Sequence, residues 1–517
     1  MLETIQASLG IVLQLKVMAI IVISTFAGIV IGVVPGLGPF IAIVILIPFV
    51  MNLPPEVGLM ALIGIYVGGN YGGGIASAIL GIPGTPMAAA TLLDANPMAE
   101  RGEAGKAIGL ITTASVCGGL ISAFILMLFS PFLAKVALMF GPPEYTVLCL
   151  LGLSTVAAVA RGSTVKGMIS AVFGLLVATV GTDISTSFTR FTFGIADLEA
   201  GIGLLPLLLG VFAISRALTM IEEEVMRIKK YPGKKLIPQY PSRQLMGRLK
   251  GTYIRSSLIG TVIGALPGAG ATIAAYISYG EAKRHSKTPE EFGKGAPEGV
   301  VAPEAANNGV AGGAMIPMLT LAIPGDPVTA VLMGLLFIQG LTPGPNLYRF
   351  HGDLLYALFI GMILCNVAML FLGMYGTRLF LKVLSATKMT ILIPMLMLVA
   401  TLGAYSISAS IFDLWIMWVF GVVGYVMQKL QIPQPPIILG VVLGPILEQS
   451  FRRSLAMSAG SPLIFVTRPY SLGLILLLGF LIFWAKFSEV VKRGKGTERK
   501  GASSLIRSRK KEGKGNG

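Results

Sequence analysis

The stretch GTVIGALPGAGATIAAYISYGEAKR, residues 260–284, starts as an apolar membrane helix and is then interrupted. Pro267, Gly268 and Gly270 break the helical pattern while the sequence around them stays apolar. A bilayer holds no water to satisfy the backbone groups that such a break frees. Irregular backbone is therefore tolerated at membrane depth only where it is buried in protein or lines a cavity. The stretch indicates a membrane helix that is broken for a structural or functional reason.

The composition of the whole chain is that of a membrane protein. Of its 517 residues, 54% are hydrophobic and 12% are charged, whereas a soluble domain carries about 25% charged residues. Many windows approach the ~20 apolar residues that a membrane-spanning helix needs. We predict an all-α polytopic membrane protein with roughly 10–12 membrane segments, several of them short or broken.

The interrupted stretch has a counterpart in the first part of the chain. GIVIGVVPGLGPFIA (28–42) matches GTVIGALPGAGATIA (260–274) at nine of fifteen positions, with an offset of 232. A second pair follows, because ILGIPGTPMAA (79–89) matches TLAIPGDPVTA (320–330) at six of eleven positions, with an offset of 241. The change in offset predicts an insertion between the two motifs of the second half, within the polar stretch 281–304. Two motifs recurring in the same order predict a duplicated unit.

Basic residues are concentrated in two segments that flank apolar ones. Residues 222–255 hold nine Lys and Arg against three Glu, and residues 486–517 hold eleven against three. The positive-inside rule assigns such segments to the cytoplasm. The first PGxG stretch is entered from a nearly uncharged N-terminus and the second from a basic loop, which favours an inverted repeat. The C-terminal run has no interleaved aromatic residues, so we predict a tail that rests on anionic membrane lipid and binds no nucleic acid.

These observations predict five regions. They are a first membrane repeat (1–221), a basic cytoplasmic linker (222–255), a second membrane repeat (256–447), a C-terminal membrane segment (448–486) and a basic disordered cytoplasmic tail (487–517). Whether each PGxG motif is the tip of a re-entrant hairpin or a break in one span stays open. The apolar run 17–51 favours a hairpin or one and a half passes, and residues 256–280 fit a single broken span.

A broken membrane helix suits an anionic ligand. The half-helix after the break presents free N–H groups and a positive dipole end, and its glycines let a ligand approach the backbone. We therefore predict substrate-binding residues at Pro35, Gly36, Gly38, Pro267, Gly268, Gly270 and Thr272. The alternative is a proline kink with glycine-mediated helix packing, which is common in membrane bundles.

Polar residues stand near both predicted turns. Asn70 lies among glycines in the first half, and Asn307 and Asn308 lie in a similar setting in the second. Their amide groups suit a carboxylate substrate or a Na⁺ ion, so we add all three to the predicted substrate site. The alternative is that each asparagine packs against a neighbouring helix.

The two IPGxP motifs differ at one informative position. Asp326 stands in the second motif where the first has Thr85. A carboxylate at a break in a membrane helix is costly, which makes it a candidate for cation or proton coupling, and the alternative is an N-cap of the following helix. The predicted cation-coupling group is Gly84, Thr85, Gly325 and Asp326.

The sequence carries no motif of the common enzymes. GxxxxGK[ST], HExxH and GxSxG are absent, and the chain holds only two histidines. Its aspartates are isolated from one another, unlike those of Asp-rich metal sites. We predict a non-enzyme without a bound cofactor or structural metal, for which Na⁺ or H⁺ is the coupling ion.

Four motifs together resemble the large membrane subunit of the tripartite tricarboxylate transporters, the TctA family. They are GIVIGVVPGLGP (28–39), YVGGNYGGGIASAILGIPGTP (66–86), GALPGAGATIAAYISYGEAKR (264–284) and EAANNGVAGGAMIPMLTLAIPGDP (304–327). The resemblance implies a prokaryotic inner-membrane permease that uses the energy of an ion gradient. It also implies two partners, a small four-helix membrane subunit and a periplasmic solute-binding protein.

The resemblance carries PGLG (35–38), PGAG (267–270), Gly84 and Gly325 over as motif positions. It implies substrates such as citrate and other tricarboxylates, dicarboxylates and some aromatic acids. The expected function is import of a carboxylate, coupled to a Na⁺ or H⁺ gradient and dependent on the binding protein. The alternative is a passive organic-anion channel or exporter on the same broken-helix scaffold.

Overall fold

Nearly all of the described chain is α-helical. The structure is a computed structural model that describes residues 2–159, 164–183, 185–222, 237–268, 270–386 and 389–480. A small antiparallel sheet pairs β1 (Gly181–Thr182) with β2 (Thr189–Arg190). The predicted tail 487–517 and residues 223–236 of the predicted linker lie outside the described residues.

Ten α-helices precede the basic linker within the described residues. They are α1 (Leu2–Val12), α2 (Leu15–Val33), α3 (Gly38–Val50), α4 (Pro55–Leu80), α5 (Ala89–Met98), α6 (Ala104–Ala137), α7 (Pro142–Val159), α8 (Thr164–Ala178), α9 (Leu204–Leu208) and α10 (Ser215–Glu222). Two π-helical turns, Ala99–Glu103 and Leu209–Ile214, join α5 to α6 and α9 to α10. Short 3₁₀ turns lie at Pro86–Ala88 and Ala196–Ala200.

Eleven more helices follow the linker within the described residues. They are α11 (Arg243–Ala265), α12 (Gly270–His285), α13 (Pro297–Leu321), α14 (Pro327–Ile338), α15 (Pro345–Phe350), α16 (Gly352–Ala386), α17 (Met389–Ser408), α18 (Ile411–Lys429), α19 (Pro435–Met457), α20 (Ile464–Thr467) and α21 (Pro469–Phe480). A 3₁₀ turn, Pro289–Glu291, lies between α12 and α13.

Many of these helices are apolar enough to lie in a membrane. Within the described residues, six helical segments have the length and composition to cross one: Leu15–Val33, Pro55–Leu80, Pro86–Ala137, Leu204–Glu222, Gly352–Thr377 and Ile411–Lys429. Five shorter apolar helices accompany them: Gly38–Val50, Thr164–Ala178, Pro327–Ile338, Thr390–Ser406 and Pro469–Phe480. The prediction of an all-α polytopic membrane protein is confirmed.

The protein is built around two long buried helices, α4 and α13. α2 packs along α4, α11 packs along α13, and α6 lies against α13. Every residue of α13 from Gly299 to Thr320 is buried. A helix that is buried on all sides belongs to the centre of a large protein, so α13 is surrounded by other helices along most of its length.

The two halves pass through the same order of helices. α2, the PGLG turn, α3 and α4 in the first half correspond to α11, the PGAG turn, α12 and α13 in the second. Gly38 and Gly270 begin α3 and α12 at an offset of 232, whereas Pro55 and Pro297 begin α4 and α13 at an offset of 242. The extra residues of the second half therefore lie between the starts of α12 and α13. The inverted orientation of the two halves stays a prediction.

Two predicted region boundaries fall inside helices. Residues 243–255, predicted as linker, form the first part of α11, and α19 crosses the predicted boundary between residues 447 and 448. The predictions followed the ends of the apolar runs. A helix continues beyond such a run when its polar residues are good helix formers, as Arg, Gln and Lys are in α11.

Ion pairs attach one loop to helix α19. This loop connects α8 to α9. Arg190, at the end of β2, donates to a carboxylate oxygen of Glu448 (2.7 Å), and Arg452 donates to Asp183 (2.8 Å). Asp183 also accepts the backbone N–H of Ser185. The hydrogen bonds from Arg452 and then from Ser185 lower the pKa of Asp183 to about 2.

This low pKa predicts how the loop responds to acid. Asp183 is ionised more easily in the folded protein than in an unfolded chain, where its pKa is about 3.9. The ion pair therefore stabilises the loop above that pH, and the stabilisation is lost as the pH falls through about 2. Arg452→Ala removes the largest cause of the shift, so we expect the loss to move toward about pH 4.

Hydrogen exchange of the β1–β2 amides, corrected for the intrinsic effect of pH, measures this change. Arg453→Ala is the matched control, because Arg453 is the exposed neighbour of Arg452 on α19. The same pH profile in Arg452→Ala and Arg453→Ala would contradict the prediction.

Candidate functional site

Each PGxG motif forms a tight turn between two helices. PGLG follows α2 and PGAG follows α11, and in both cases the next helix begins at the last glycine of the motif. The φ angles are +87° and +82° at Gly36 and Gly268, and +64° and +67° at Gly38 and Gly270. Residues with side chains rarely adopt these angles, so the turns require glycine. The two motifs therefore share a backbone geometry as well as a sequence.

Each turn is hydrogen-bonded to the IPGxP motif of its own half. The N–H of Gly36 donates to the carbonyl oxygen of Gly84 (3.3 Å), and the N–H of Gly268 donates to that of Gly325 (2.8 Å). Both glycines of the IPGxP motifs are buried. The structure thus brings the predicted substrate-binding turn and the predicted cation-coupling motif together within each half.

Other glycines near the turns serve helix packing. A Cβ atom on Gly32 of α2 would lie 2.3 Å from the carbonyl oxygen of Gly69, and one on Gly260 of α11 would lie 2.1 Å from that of Ala306. The backbones of α2 and α4, and of α11 and α13, therefore touch, as small residues allow in membrane bundles. Glycine-mediated packing, the alternative stated above, is correct for these positions.

The three predicted asparagines lie on the two central helices. Asn70 of α4 and Asn307 and Asn308 of α13 are at most 1% exposed. The side-chain nitrogen of Asn307 lies 3.4 Å from the carbonyl oxygen of Asn70, at the limit of a hydrogen bond. This contact joins the two halves of the chain at the point where α4 meets α13.

The amide groups of these asparagines are largely unsatisfied. Within the described residues, neither amide atom of Asn70 or Asn308 has a hydrogen-bond partner, and nor does the side-chain oxygen of Asn307. Buried polar groups are normally hydrogen-bonded, and one without a partner costs about 1–3 kcal/mol. A polar ligand or an ordered water would satisfy these groups.

Thr85 adds a hydroxyl group beside the first turn. It is 1% exposed, and its Oγ1 has no hydrogen-bond partner within the described residues. A Cβ atom on Gly73 of α4 would lie 2.4 Å from this oxygen, and one on Gly38 would lie 3.8 Å from the Thr85 methyl group. Thr85 therefore lies between α4 and the start of α3.

Asp326 acts as the N-cap of α14. One carboxylate oxygen accepts the backbone N–H of Thr329 and its hydroxyl, both at 2.8 Å. The other accepts the hydroxyl of Tyr66 from α4. The N-cap alternative stated above is what the structure shows, and the Tyr66 bond links the two halves. A role of Asp326 in cation coupling stays a prediction.

The remaining predicted residues differ in exposure. Pro35, Pro267, Gly268, Gly270 and Thr272 are partly exposed, Gly36 is exposed and Gly38 is buried. The predicted site therefore combines partly exposed turns with buried asparagines and a buried Thr85.

Arg216 lies near this site although no sequence motif includes it. It lies in the apolar segment Leu204–Glu222, and its guanidinium group packs against the first turn. A Cβ atom on Gly36 would lie 2.2 Å from the Nη2 atom of Arg216. An arginine in an apolar membrane segment is costly and usually functional, and guanidinium groups bind carboxylates well.

The contact between Arg216 and Gly36 can be tested with two alanine variants. Gly36 and Gly102 both have φ +87°, but a Cβ on Gly102 would meet no atom within 4 Å. Gly102→Ala is expected to cost about 1–2 kcal/mol from backbone strain alone. Gly36→Ala adds a contact with the end of the Arg216 side chain, which is flexible and can move aside, so we expect a similar fall in melting temperature in detergent. A clearly larger fall for Gly36→Ala would show that Arg216 is held in place against the turn.

Asp94 was treated as an isolated aspartate, and the structure gives it four hydrogen bonds. One oxygen accepts the backbone N–H groups of Gly293, Gly295 and Ala296, each at 2.8 Å, and the other accepts the hydroxyl of Tyr279 (2.8 Å). Asp94 is fully buried. A residue of α5 in the first half therefore fixes the loop that leads into α13 in the second.

Glu304, like Asp94, is a buried carboxyl group outside the predicted site. It lies on α13 and is fully buried. Its two oxygens accept hydroxyl groups from Thr91 of α5 (2.6 Å) and Ser115 of α6 (3.0 Å). A glutamate inside the glycine-rich motif EAANNGVAGG was a signal that the sequence offered.

In the described part of the chain, no group of three or more His, Cys, Asp and Glu residues lies together in a way that could hold a metal ion. The site consists of backbone, amide, hydroxyl and isolated carboxyl groups.

These features define a class of protein. Apolar helices joined by glycine turns surround buried polar residues, an arrangement found in membrane transporters.

The chain belongs to the tripartite tricarboxylate transporter TctA family, whose model matches residues 18–439. The resemblance stated from the four motifs is thereby confirmed. The protein is a multi-pass membrane protein and a subunit of a tricarboxylate transporter of this family.

Two proteins of Agrobacterium vitis are similar to this chain. The "Uncharacterized 52.8 kDa protein in TAR-I ttuC' 3'region" is 36% identical over 453 residues, which cover 88% of this chain and 90% of that protein. The "Uncharacterized protein in TAR-II ttuC' 3'region" is 38% identical over 216 residues, which cover 42% of this chain and 89% of that protein. No solved structure matches this chain significantly.

Proposed function

We propose that this protein is the permease subunit of a binding-protein-dependent secondary transporter. It imports carboxylates of the tricarboxylate or citrate-like class, coupled to a Na⁺ or H⁺ gradient. Membership of the TctA family supports the transporter subunit. The observation that carries the proposal is the unsatisfied amides of Asn70, Asn307 and Asn308 on the two central helices, of which Asn70 and Asn307 meet where α4 contacts α13. Amide groups of this kind hydrogen-bond a carboxylate through nitrogen and coordinate a cation through oxygen.

The substrate carboxylates bind at the two glycine turns. α3 and α12 begin at these turns, and the N-terminus of a helix attracts negative charge. The guanidinium group of Arg216 at the first turn supports an anionic substrate. The glycine turns receive the substrate, and the buried amides of Asn70, Asn307 and Asn308 provide the remaining polar contacts.

When Na⁺ is the coupling ion, it binds near the two IPGxP motifs. Thr85 contributes a buried hydroxyl oxygen, while Gly84 and Gly325 receive the hydrogen bonds of the turns. Asp326 can join the cation and keep the hydrogen bond from Tyr66, because a carboxylate oxygen can make both contacts at once. Tyr66 lies on α4, so both halves of the chain hold this carboxylate, and alternating access would move one repeat against the other.

The partners follow from the tripartite family. A small four-helix membrane subunit and a periplasmic solute-binding protein complete the transporter, which lies in a prokaryotic inner membrane. The basic segments support a cytoplasmic linker and tail.

The variant Asn308→Leu separates a functional amide from a structural one. Both amide atoms of Asn308 lack a partner within the described residues, so an apolar side chain of similar size removes the cost of burying them. We expect about tenfold lower uptake with an unchanged or raised melting temperature. Asn366→Leu on α16 is the control. The amide nitrogen of Asn366 bonds the carbonyl oxygen of Met362, and its amide oxygen has no partner within the described residues. This variant should keep its uptake per folded protein.

Uptake of labelled citrate and a panel of other carboxylates into proteoliposomes tests the function itself. The vesicles contain this chain with its small subunit, the binding protein is outside, and a Na⁺ or pH gradient is imposed or omitted. Accumulation that needs a gradient and the binding protein is expected, and Gly268→Leu should abolish it because a leucine is strained at φ +82°. Equilibration without any gradient would favour a passive channel instead.

A further inference from the structure

We propose that Glu304 binds the proton that drives transport, so that H⁺ is the coupling ion. This inference rests on the function proposed above. Glu304 lies on α13 one turn before Asn308, and its carboxyl group points into the first half of the protein. Glu304 therefore lies one turn from Asn308 and is hydrogen-bonded to helices of the first half. A movement of the two halves against each other would change these hydrogen bonds.

The surroundings of Glu304 are unfavourable for a permanent negative charge. The residue is fully buried, and its carboxyl oxygens are bonded to two neutral hydroxyl groups, those of Thr91 and Ser115. A buried carboxylate is stable when a cation or several donors compensate it. In membrane proteins, buried carboxyl groups of this kind mark proton and ion pathways.

The structure makes room for this carboxyl group. A Cβ atom on Gly74 of α4 would lie 2.6 Å from the Oε1 atom of Glu304. Gly74 lies one turn after Asn70 on α4, as Glu304 lies one turn before Asn308 on α13. The glutamate thus occupies the same crossing of α4 and α13 as the asparagines.

The hydroxyl partners suit both protonation states. A hydroxyl group can donate one hydrogen bond and also accept one. Thr91 and Ser115 donate to the ionised carboxylate, and one of them can rotate to accept the O–H of the neutral acid. Binding of the proton forms one O–H bond on Glu304, its release breaks that bond, and no other reactant is required.

Three other titratable groups on the neighbouring helices form hydrogen bonds with residues other than Glu304. Tyr71 of α4 interacts with Glu304 through space, while its hydroxyl bonds Thr112. On α5, Asp94 binds the loop before α13, and α12 supplies Tyr279 to the same aspartate.

A salt bridge between α11 and α13 lies near the start of α13. Arg248 of α11 pairs with Glu298, in the first turn of α13. Six residues of helix, about 9 Å, separate Glu298 from Glu304. Glu298→Gln is therefore a matched control for Glu304→Gln, because it changes a carboxyl group on the same helix outside the buried cluster.

The test uses proteoliposomes that contain the complete transporter, with the membrane potential held at zero. Labelled citrate, or the carboxylate of the panel that the wild-type protein transports, is the probe. An inward gradient of about one pH unit drives about tenfold accumulation if one proton enters with each substrate. Counterflow exchange, which needs no net proton entry, is measured in the same vesicles.

We expect Glu304→Gln to keep exchange and lose accumulation. The glutamine retains an acceptor for one hydroxyl partner and a donor for the other, but it cannot take up a proton. Its internal substrate concentration should therefore only equal the external one, while Glu298→Gln accumulates like the wild type. Gradient-driven accumulation by Glu304→Gln at the wild-type level would overturn the inference.

A measurement on the wild-type protein keeps the inference testable if Glu304→Gln does not fold. A trapped pH dye should report acidification of the vesicle interior when substrate enters. Substrate entry without acidification would overturn the role of Glu304 and leave the permease function standing. Absence of any exchange by the wild type, with every carboxylate of the panel, would overturn the proposed function and this inference with it.

Discussion

Asp94→Ala is expected to lower the free energy of unfolding by about 3–5 kcal/mol, because it leaves buried donors without an acceptor. Three backbone N–H groups, those of Gly293, Gly295 and Ala296, lose their partner together with the hydroxyl of Tyr279. The loss falls on the contact between α5 and the loop before α13, which holds the two halves together. Thermal and denaturant unfolding in detergent measure it.

Two further variants distinguish the effect of the hydrogen-bond acceptor at Asp94 from the effect of losing a negative charge. Asp94→Asn keeps an oxygen for the backbone N–H groups and is expected to lose less stability than Asp94→Ala. Glu100→Ala removes an exposed acid shortly after α5 and should change stability by less than about 0.5 kcal/mol. Wild-type stability of Asp94→Ala would show that water replaces the carboxylate at no cost.

Gly260→Ala is expected to destabilise the protein by about 3 kcal/mol, although it adds one methyl group. The new Cβ atom would lie 2.1 Å from the carbonyl oxygen of Ala306, and a backbone atom of a buried helix cannot move aside alone. α11 and α13 must therefore separate along their contact. Because α13 carries Asn307 and Asn308, we also expect uptake to fall in the protein that remains folded.

The same substitution on the same helix has the opposite expected sign at Gly251. A Cβ atom there would meet nothing within 4 Å, and alanine favours a helix over glycine by about 1 kcal/mol. Gly251→Ala should therefore be neutral or stabilising. Melting temperatures of the two variants in detergent give the comparison. A similar change in both would mean that helix propensity, and not the close approach of α11 to α13, governs position 260.

The glycine turns were predictable because their cause is local. A proline followed by glycines inside an apolar run has to leave the helix, and the positive φ angles at Gly36 and Gly268 follow from that chemistry. The repeated order of motifs then predicted that the second turn would resemble the first. Asn70, Asn307 and Asn308 attract attention for a similar reason, because polar residues are unusual in apolar helices, and their role in a substrate site stays a prediction.

The contacts of the buried acids were not predictable in this way. Tyr66 and Asp326 are 260 residues apart, Thr91 and Glu304 are 213 apart, and Asp94 reaches Gly293 across 199. Periodicity and motif spacing report on neighbours within a few turns, and no local pattern encodes which helix of the other half will pack alongside. Arg216 escaped notice for the same reason, because its contact with Gly36 depends on how α10 packs against the turn.

The membrane class, the two glycine-turn motifs and the family can be read from the amino-acid sequence, because apolar composition and glycine-proline turns act through local chemistry. The partners of each buried polar group depend on how the helices pack. The tertiary structure placed Asp326 as an N-cap, left the asparagine amides unsatisfied and enclosed Glu304 among three helices of the other half. The free-energy cost of burying a charge or an amide depends on the hydrogen-bonding atoms that packing brings within about 3 Å of it. In this protein many of those atoms belong to residues far away in the sequence.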